Sequence, residues 1–198
     1  PYTLTFDAQK LNAFVHSLPV AVPLETTRLD LAIDKGIKSV LGGNSTSEPL
    51  NTMISVDGRY RLSFDDLRMD FVNNDKDEPE QVLMLSSNHP VTDEAIRDKV
   101  RAWVLPDKIN TETGEKDEYG WNTGDITDAV LQKATPIILT HVPSIEPLNQ
   151  QHAFKLKAKP GLQLYVRVQD RIESIGGYIA KEPTATLLQV ADYPKTLH

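Results

Sequence analysis

The sequence predicts an all-β protein: antiparallel β-sandwich modules carrying two short helices. Three observations predict it. Apolar and polar residues alternate with period two along much of the chain, helical periodicity is scarce, and turn residues punctuate the runs at short intervals.

The elements follow in order. The opening PYTLTFDAQK reads as strand, and DKG (34–36), GGNSTSEP (42–49) and VDG (56–58) read as turns. RYRLSFDD puts Tyr60, Leu62 and Phe64 on one face, and LRMDFV then places Leu67, Met69 and Phe71 together. The parity changes between these runs, so a bulge is expected at Asp65–Asp66. NNDKDEPE (73–80) is acid-rich like a calcium loop but lacks the glycine such a loop needs, so it reads as a solvated hairpin turn. QVLMLSS, RAWVL and PIILTHV are apolar on both faces and suit central strands. AFKLKA and LQLYVRVQ alternate, with Phe154, Leu156, Leu164, Val166 and Val168 facing a core. KPG (159–161) and IGGY (175–178) are the turns around them.

The two helices are short and depend on packing. Thr92 caps the first, with Asp93 and Glu94 in the turn where the helix dipole favours acids. Pro90 keeps His89 extended and delays the helix start. The stretch SSNHPVTDEAIRDKVRAWVLP therefore reads as an apolar crossover dressed in charge, with Ile96, Val100 and Trp103 inward and no role assigned to His89. Asp125 is the expected cap of the second helix, with Ile126, Ala129, Val130 and Ala134 inward and Pro136 past its end. Between the helices, residues 110–128 hold six acids and one lysine and read as an exposed excursion from the sheet.

Composition narrows the function. The 198 residues carry 28 acids against 21 Lys+Arg, a net charge of −7, which argues against a nucleic-acid or anionic-membrane surface. With no cysteine, the chain has no disulfide, thiol nucleophile or Cys–metal site. No stretch approaches the ~20 apolar residues of a membrane span, and membrane insertion is not expected. The first residues show neither the charged nor the apolar region of a signal peptide, and both ends read as cut from something longer.

Catalytic patterns are missing. There is no G-x-S-x-G, S-x-x-K, P-loop or G-x-G-x-x-G. No two of His16, His89, His141, His152 and His198 are three or four apart, so no helical zinc face forms. No catalytic, cofactor-binding or metal-ligating residue is assigned. A paired-carboxylate enzyme has no specific support. Tyr119 and Trp121 read first as anchors of their own loop and second as a sugar platform. With Asp117 and Glu118 they form the candidate partner-contact loop.

Seven segments, in order, resemble the bacterial alpha-2-macroglobulin-like proteins, especially the atypical branch without a thioester. They are KLNAFVHSLPVAVPL, DKGIKSVLGG, EPEQVLML, VRAWVLPDK, YGWNTGDITDAVL, HAFKLKAKPGLQLYVRV and SIGGYIAKEP. The resemblance implies immunoglobulin-like, macroglobulin-like sandwich modules from the amino-terminal portion of a periplasmic protease trap, with or near a membrane. The family's Cys-x-Glu-Gln thioester cannot occur in a chain without cysteine, and no bait segment is recognisable. Residues 1–57 are expected to be a partial module, 58–182 a larger sandwich with helical insertions, and 183–198 the start of a linker. Exposed edges of the partial module are expected to be covered by the second unit or by another copy. The expected role is a non-enzymatic structural and interaction module without cofactor. Its partners would be proteins: a target protease through the parent, and periplasmic or membrane-associated subunits. The rival reading is a carbohydrate-binding or adhesin-type sandwich.

Overall fold

The computed structural model describes residues 2–7, 12–17, 21–38, 41–109, 113–117, 120–146 and 149–193, the first two segments as backbone only. The chain divides into two compact units, residues 1–60 and 61–198.

In the first unit, β1 (Tyr2–Asp7) pairs antiparallel with β2 (Asn12–Ser17), and β3 (Thr27–Ile33) with β4 (Leu50–Val56). Thr46 closes the β3–β4 loop, its Oγ1 accepting from the Gly36 and Ile37 N–H groups, each at 3.0 Å. Gly58 is needed where the chain passes itself, since a Cβ there would lie 2.8 Å from the Leu24 carbonyl oxygen. Leu50, Met53 and Ile54 remain exposed on this hairpin.

The second unit is a sandwich of two four-stranded antiparallel sheets. One runs β5 (Phe64–Asn73), β6 (Pro79–Val91), β10 (Asn149–Leu156) and β9 (Thr140–Val142). The other runs β12 (Thr184–Gln189), β11 (Gln163–Val168), β7 (Val100–Val104) and β8 (Thr135–Ile137). Alternation decides what meets between them: Leu83, Leu85, Phe154 and Leu156 from the first sheet, Val100, Ala102, Leu164, Val166 and Val168 from the second. Phe154, Leu85, Leu164 and Val166 are fully removed from water.

The expected bulge is present. The β5–β6 register shifts between Asp65 and Arg68, and Asp66 adopts φ 48°. NNDKDEPE is the β5–β6 hairpin turn, organised by Asn74, whose Oδ1 accepts from the Lys76 and Glu78 N–H groups at 2.9 and 3.0 Å. Helix α1 (Asp93–Ile96) has Thr92 as its N-cap, Oγ1 accepting from the Ala95 N–H at 3.3 Å, and buries Ile96 completely.

Several elements differ from the sequence reading. Val100 is inward but belongs to β7, because α1 ends after one turn. Trp103 is half-buried on the outer face of β7 beside Tyr165, with ring centroids 6.0 Å apart; with Val100 and Ala102 inward, parity sends Trp103 out. The second helix, α2 (Asp128–Lys133), has Thr127 at its N-cap position without a side-chain capping hydrogen bond and buries no residue. Asp125 instead ends a 3-10 turn, Thr123–Asp125, led by Asn122. PIILTHV is no central strand: it supplies β8 and β9, edge strands of opposite sheets, and the chain crosses between them at Ile138, which is exposed. Where the sequence suggested a linker, TATLLQ forms β12, paired along its length with β11.

Candidate functional site

The acidic excursion is anchored at its base. Lys108 Nζ lies 2.9 Å from Asp125 Oδ2 and 3.6 Å from Asp117 Oδ2, and 5.6 Å from the centre of the Trp121 ring. The hydrogen bond to Asp125 chiefly holds the Lys108 ammonium above its ordinary range, and the same bond chiefly holds the Asp125 carboxyl below its own. Trp121 is half-buried. Its Nε1 donates to the Pro106 carbonyl at 2.7 Å. The Gln163 side-chain amide clasps its backbone, accepting from the Trp121 N–H and donating to the Trp121 carbonyl, both at 3.1 Å. These residues wall an open cleft of about 320 Å³ with Leu105, Asp117 and Gly161.

Trp121 thus anchors its loop, as its first reading held. Asp117 is half-buried beside Lys108 and joins it. Glu118 and Tyr119, the other two members of the candidate partner-contact loop, lie outside the described residues. A flat aromatic sugar platform built on Trp121 is not what its indole hydrogen bond and its neighbouring ammonium make.

His89 sits on β6 and stacks on Tyr178, ring centroids 3.8 Å apart and planes 8° from parallel. The hairpin carrying Tyr178 is tied to the same place, the Ile175 N–H donating to the Pro90 carbonyl at 2.9 Å. His89 is therefore part of how the 174–178 turn seats on the first sheet.

The second constellation was not foreseen. Asp93 at the start of α1, His141 on β9 and His152 on β10 bring one carboxylate oxygen and two imidazole nitrogens within 4.8 Å of one another. His141 Nε2 lies 3.5 Å from Asp93 Oδ1, and His152 Nδ1 lies 3.9 Å from it. The placement follows from the strands. His141 pairs opposite Phe154, and His152 lies two residues from Phe154, hence on the same inward face. The Asp93 carboxylate is oriented by Ser144, whose N–H and hydroxyl donate to it at 2.8 and 2.7 Å, and Asn149 Nδ2 donates to Ser144 Oγ at 2.9 Å.

Burial here raises the Asp93 pKa, but the two Ser144 hydrogen bonds and the two imidazoles outweigh it and leave Asp93 below its ordinary range. Burial pushes His152 down, against the pull of Asp93. Testing the histidines for helical spacing missed this cluster, because strand register and not chain distance brings His141 to His152. No Asp or Glu among the described residues is fully buried, so a cleft holding two buried acids is not found among them.

The second unit is defined by these features as an antiparallel β-sandwich module with a braced surface excursion. The relatives make the class more specific. The chain is 30% identical over 201 residues, 99% of its length, to an alpha-2-macroglobulin homolog of Yersinia pestis. It is 28% identical over 195 residues to the alpha-2-macroglobulin of Pasteurella multocida and 23% identical over 216 residues to that of Rickettsia conorii. It spans only 10–11% of the length of these relatives. That is the match of a fragment: the chain has the sequence of a segment of a bacterial alpha-2-macroglobulin-like protein. No family model and no solved structure matches it.

Proposed function

We propose that the chain is a non-enzymatic structural and interaction module in the amino-terminal portion of a bacterial, periplasmic, protease-trapping alpha-2-macroglobulin-like protein. The observation that carries this reading is the match of 99% of the chain to an alpha-2-macroglobulin homolog. The 61–198 sandwich is the stiff body of the module, and residues 1–60 contribute a partial one. Its partners are proteins: the target protease through the parent, and subunits that meet the excursion around Asp117, Glu118, Tyr119 and Trp121. A thioester has to come from elsewhere in the parent or not at all, since this chain has no cysteine.

Two physical features support a scaffold role. The core is closed by both sheets. Among the described residues, Asp117, Trp121 and Asp125 of the excursion are tied to Lys108 and Pro106 by an ion network and an indole hydrogen bond.

The test uses the parent protein mixed with an endoprotease. A trap protects a large protein substrate while a small peptide substrate is still cleaved. Replacing residues 61–198 by a flexible linker should abolish that discrimination, and the isolated chain should neither inhibit nor cleave. Retention of trapping by the replaced parent, or glycan binding by the isolated chain that depends on Trp121, overturns the reading.

A further inference from the structure

We propose that Asp93, His141 and His152 bind one divalent transition-metal ion of the zinc type, which pins the α1 crossover and edge strand β9 to β10. The inference is independent of the protease-trap reading.

The donors are of the right kind. Two imidazoles and one carboxylate suit zinc and its first-row neighbours, whereas calcium and magnesium call for oxygen ligands. They are also at nearly the right spacing. Donors around a tetrahedral ion with bonds of 2.0–2.2 Å stand about 3.3–3.6 Å apart. The two contacts to Asp93 Oδ1 are 3.5 and 3.9 Å and all three donors lie within 4.8 Å of one another, so the side chains would draw together around a bound ion.

The second observation is the state of the rings. His152 is 1% exposed, and neither of its ring nitrogens has a hydrogen-bond partner; the buried His141 Nε2 has none either. A buried polar atom left unpaired costs about 1–3 kcal/mol, and one ion beside Asp93 would take His152 Nδ1 and His141 Nε2, one nitrogen from each ring. Nδ1 of His152 is aimed at the carboxylate.

Around this set stands an outer layer. Ser144 fixes the carboxylate through two hydrogen bonds and is itself fixed by Asn149, as ligand carboxylates in metal sites commonly are. Three protein ligands leave a fourth position. The Asp93 and His141 side chains are 21% and 11% exposed, so that position opens toward solvent and takes a water. Structurally, the ion would add a tie between three elements, α1, β9 and β10. β9 is three residues long and among the described residues pairs with β10 alone, and α1 is a single turn. In a chain with no cysteine, a metal is the available cross-link.

The experiment takes the tag-free 198-residue chain, strips it with a chelator and titrates it with Zn²⁺ by calorimetry, with Co²⁺ as an optical probe. The expected result is one ion per chain, a Co²⁺ ligand-field spectrum of low coordination number, and a thermal midpoint that rises with free zinc. His141→Gln should weaken binding at least a hundredfold, and Ser144→Ala about 10–100-fold by loosening the carboxylate. Circular dichroism of the metal-free variants checks that they fold. The imidazole ¹⁵N resonances of wild type are read in parallel and need no variant: those of His141 and His152 should shift on adding zinc. Absence of stoichiometric binding, unchanged imidazole resonances, or equal affinity in wild type and a folded His141→Gln overturns the proposal.

Discussion

Ser144 holds Asp93 twice, its backbone N–H donating to Oδ2 at 2.8 Å and its hydroxyl to Oδ1 at 2.7 Å, across 51 residues of chain. Hydrogen bonds to an ionised group contribute about 1.5–3 kcal/mol each. In buffer containing a chelator, Asp93→Ala should lower unfolding stability by about 3 kcal/mol and Ser144→Ala by about 1.5 kcal/mol, since the latter keeps the backbone donor. The double variant should cost less than the sum of the singles, with a coupling of at least ~0.5 kcal/mol. Urea denaturation of the four proteins measures it. Additive losses would mean the two residues act separately.

Gln81 makes another long-range polar clasp. It is 1% exposed, and its side-chain amide makes a two-way exchange with the backbone of Ala158, Nε2 to the carbonyl at 2.9 Å and Oε1 from the N–H at 2.8 Å. Gln81→Leu keeps similar bulk but leaves both Ala158 groups unpaired. It should destabilise by about 2–4 kcal/mol, from about 1–3 per orphaned group. Amide exchange at Ala158 should speed up in step, and an unchanged exchange rate there would refute the clasp.

Trp121 tests the excursion. Trp121→Phe removes the indole N–H that reaches the Pro106 carbonyl and keeps most of the ring. A loss of about 1 kcal/mol is expected, with proteolytic cutting of the 107–126 segment becoming faster while the sandwich core stays protected. Wild-type resistance in the variant would show that Lys108 and its carboxylates alone hold the loop.

Acid should weaken the same network. Lys108 chiefly holds the Asp125 carboxyl below its reference of 3.8, so the folded pKa is the lower one. The contribution is then fully present above the unfolded value and is lost as pH falls through the folded value, because the unfolded chain takes up its proton first. Lys108 is shifted upward and stays charged throughout that range. The gap in urea midpoint between wild type and Lys108→Met should hold steady from pH 5 to 8 and shrink below about pH 4. Both partners are solvated, so the gap is small. A gap that grows in acid would contradict the assignment.

Much of the fold is legible in local chemistry. The parity break at Asp65–Asp66 announces the bulge, because a strand keeps its apolar set on one face only by inserting a residue. Thr92 followed by two acids announces a helix start, because the first turn offers free N–H groups and a positive dipole end. The alternation of LQLYVRV assigns Leu164, Val166 and Val168 to the core before any partner is known.

Local chemistry runs out where two strands with no strong pattern must choose neighbours. TATLLQ carries no sharp alternation, and only pairing with β11 makes it a strand of the sheet. PIILTHV is mostly apolar and suits a central strand by composition, yet it is divided between two edges because the chain has to change sheets there.

The sequence by itself determined an all-β chain with an acidic surface, one capped crossover, a bulged hairpin and no cysteine chemistry; its collinear segments pointed to the macroglobulin-like family. Only the tertiary structure decided that Asp93, His141 and His152 meet. They belong to a one-turn helix and two strands, and His141 and His152 share a face through a register that no spacing along the chain encodes. Register depends on which strands pair and how each buries its apolar face, and that choice is made by the whole sandwich at once.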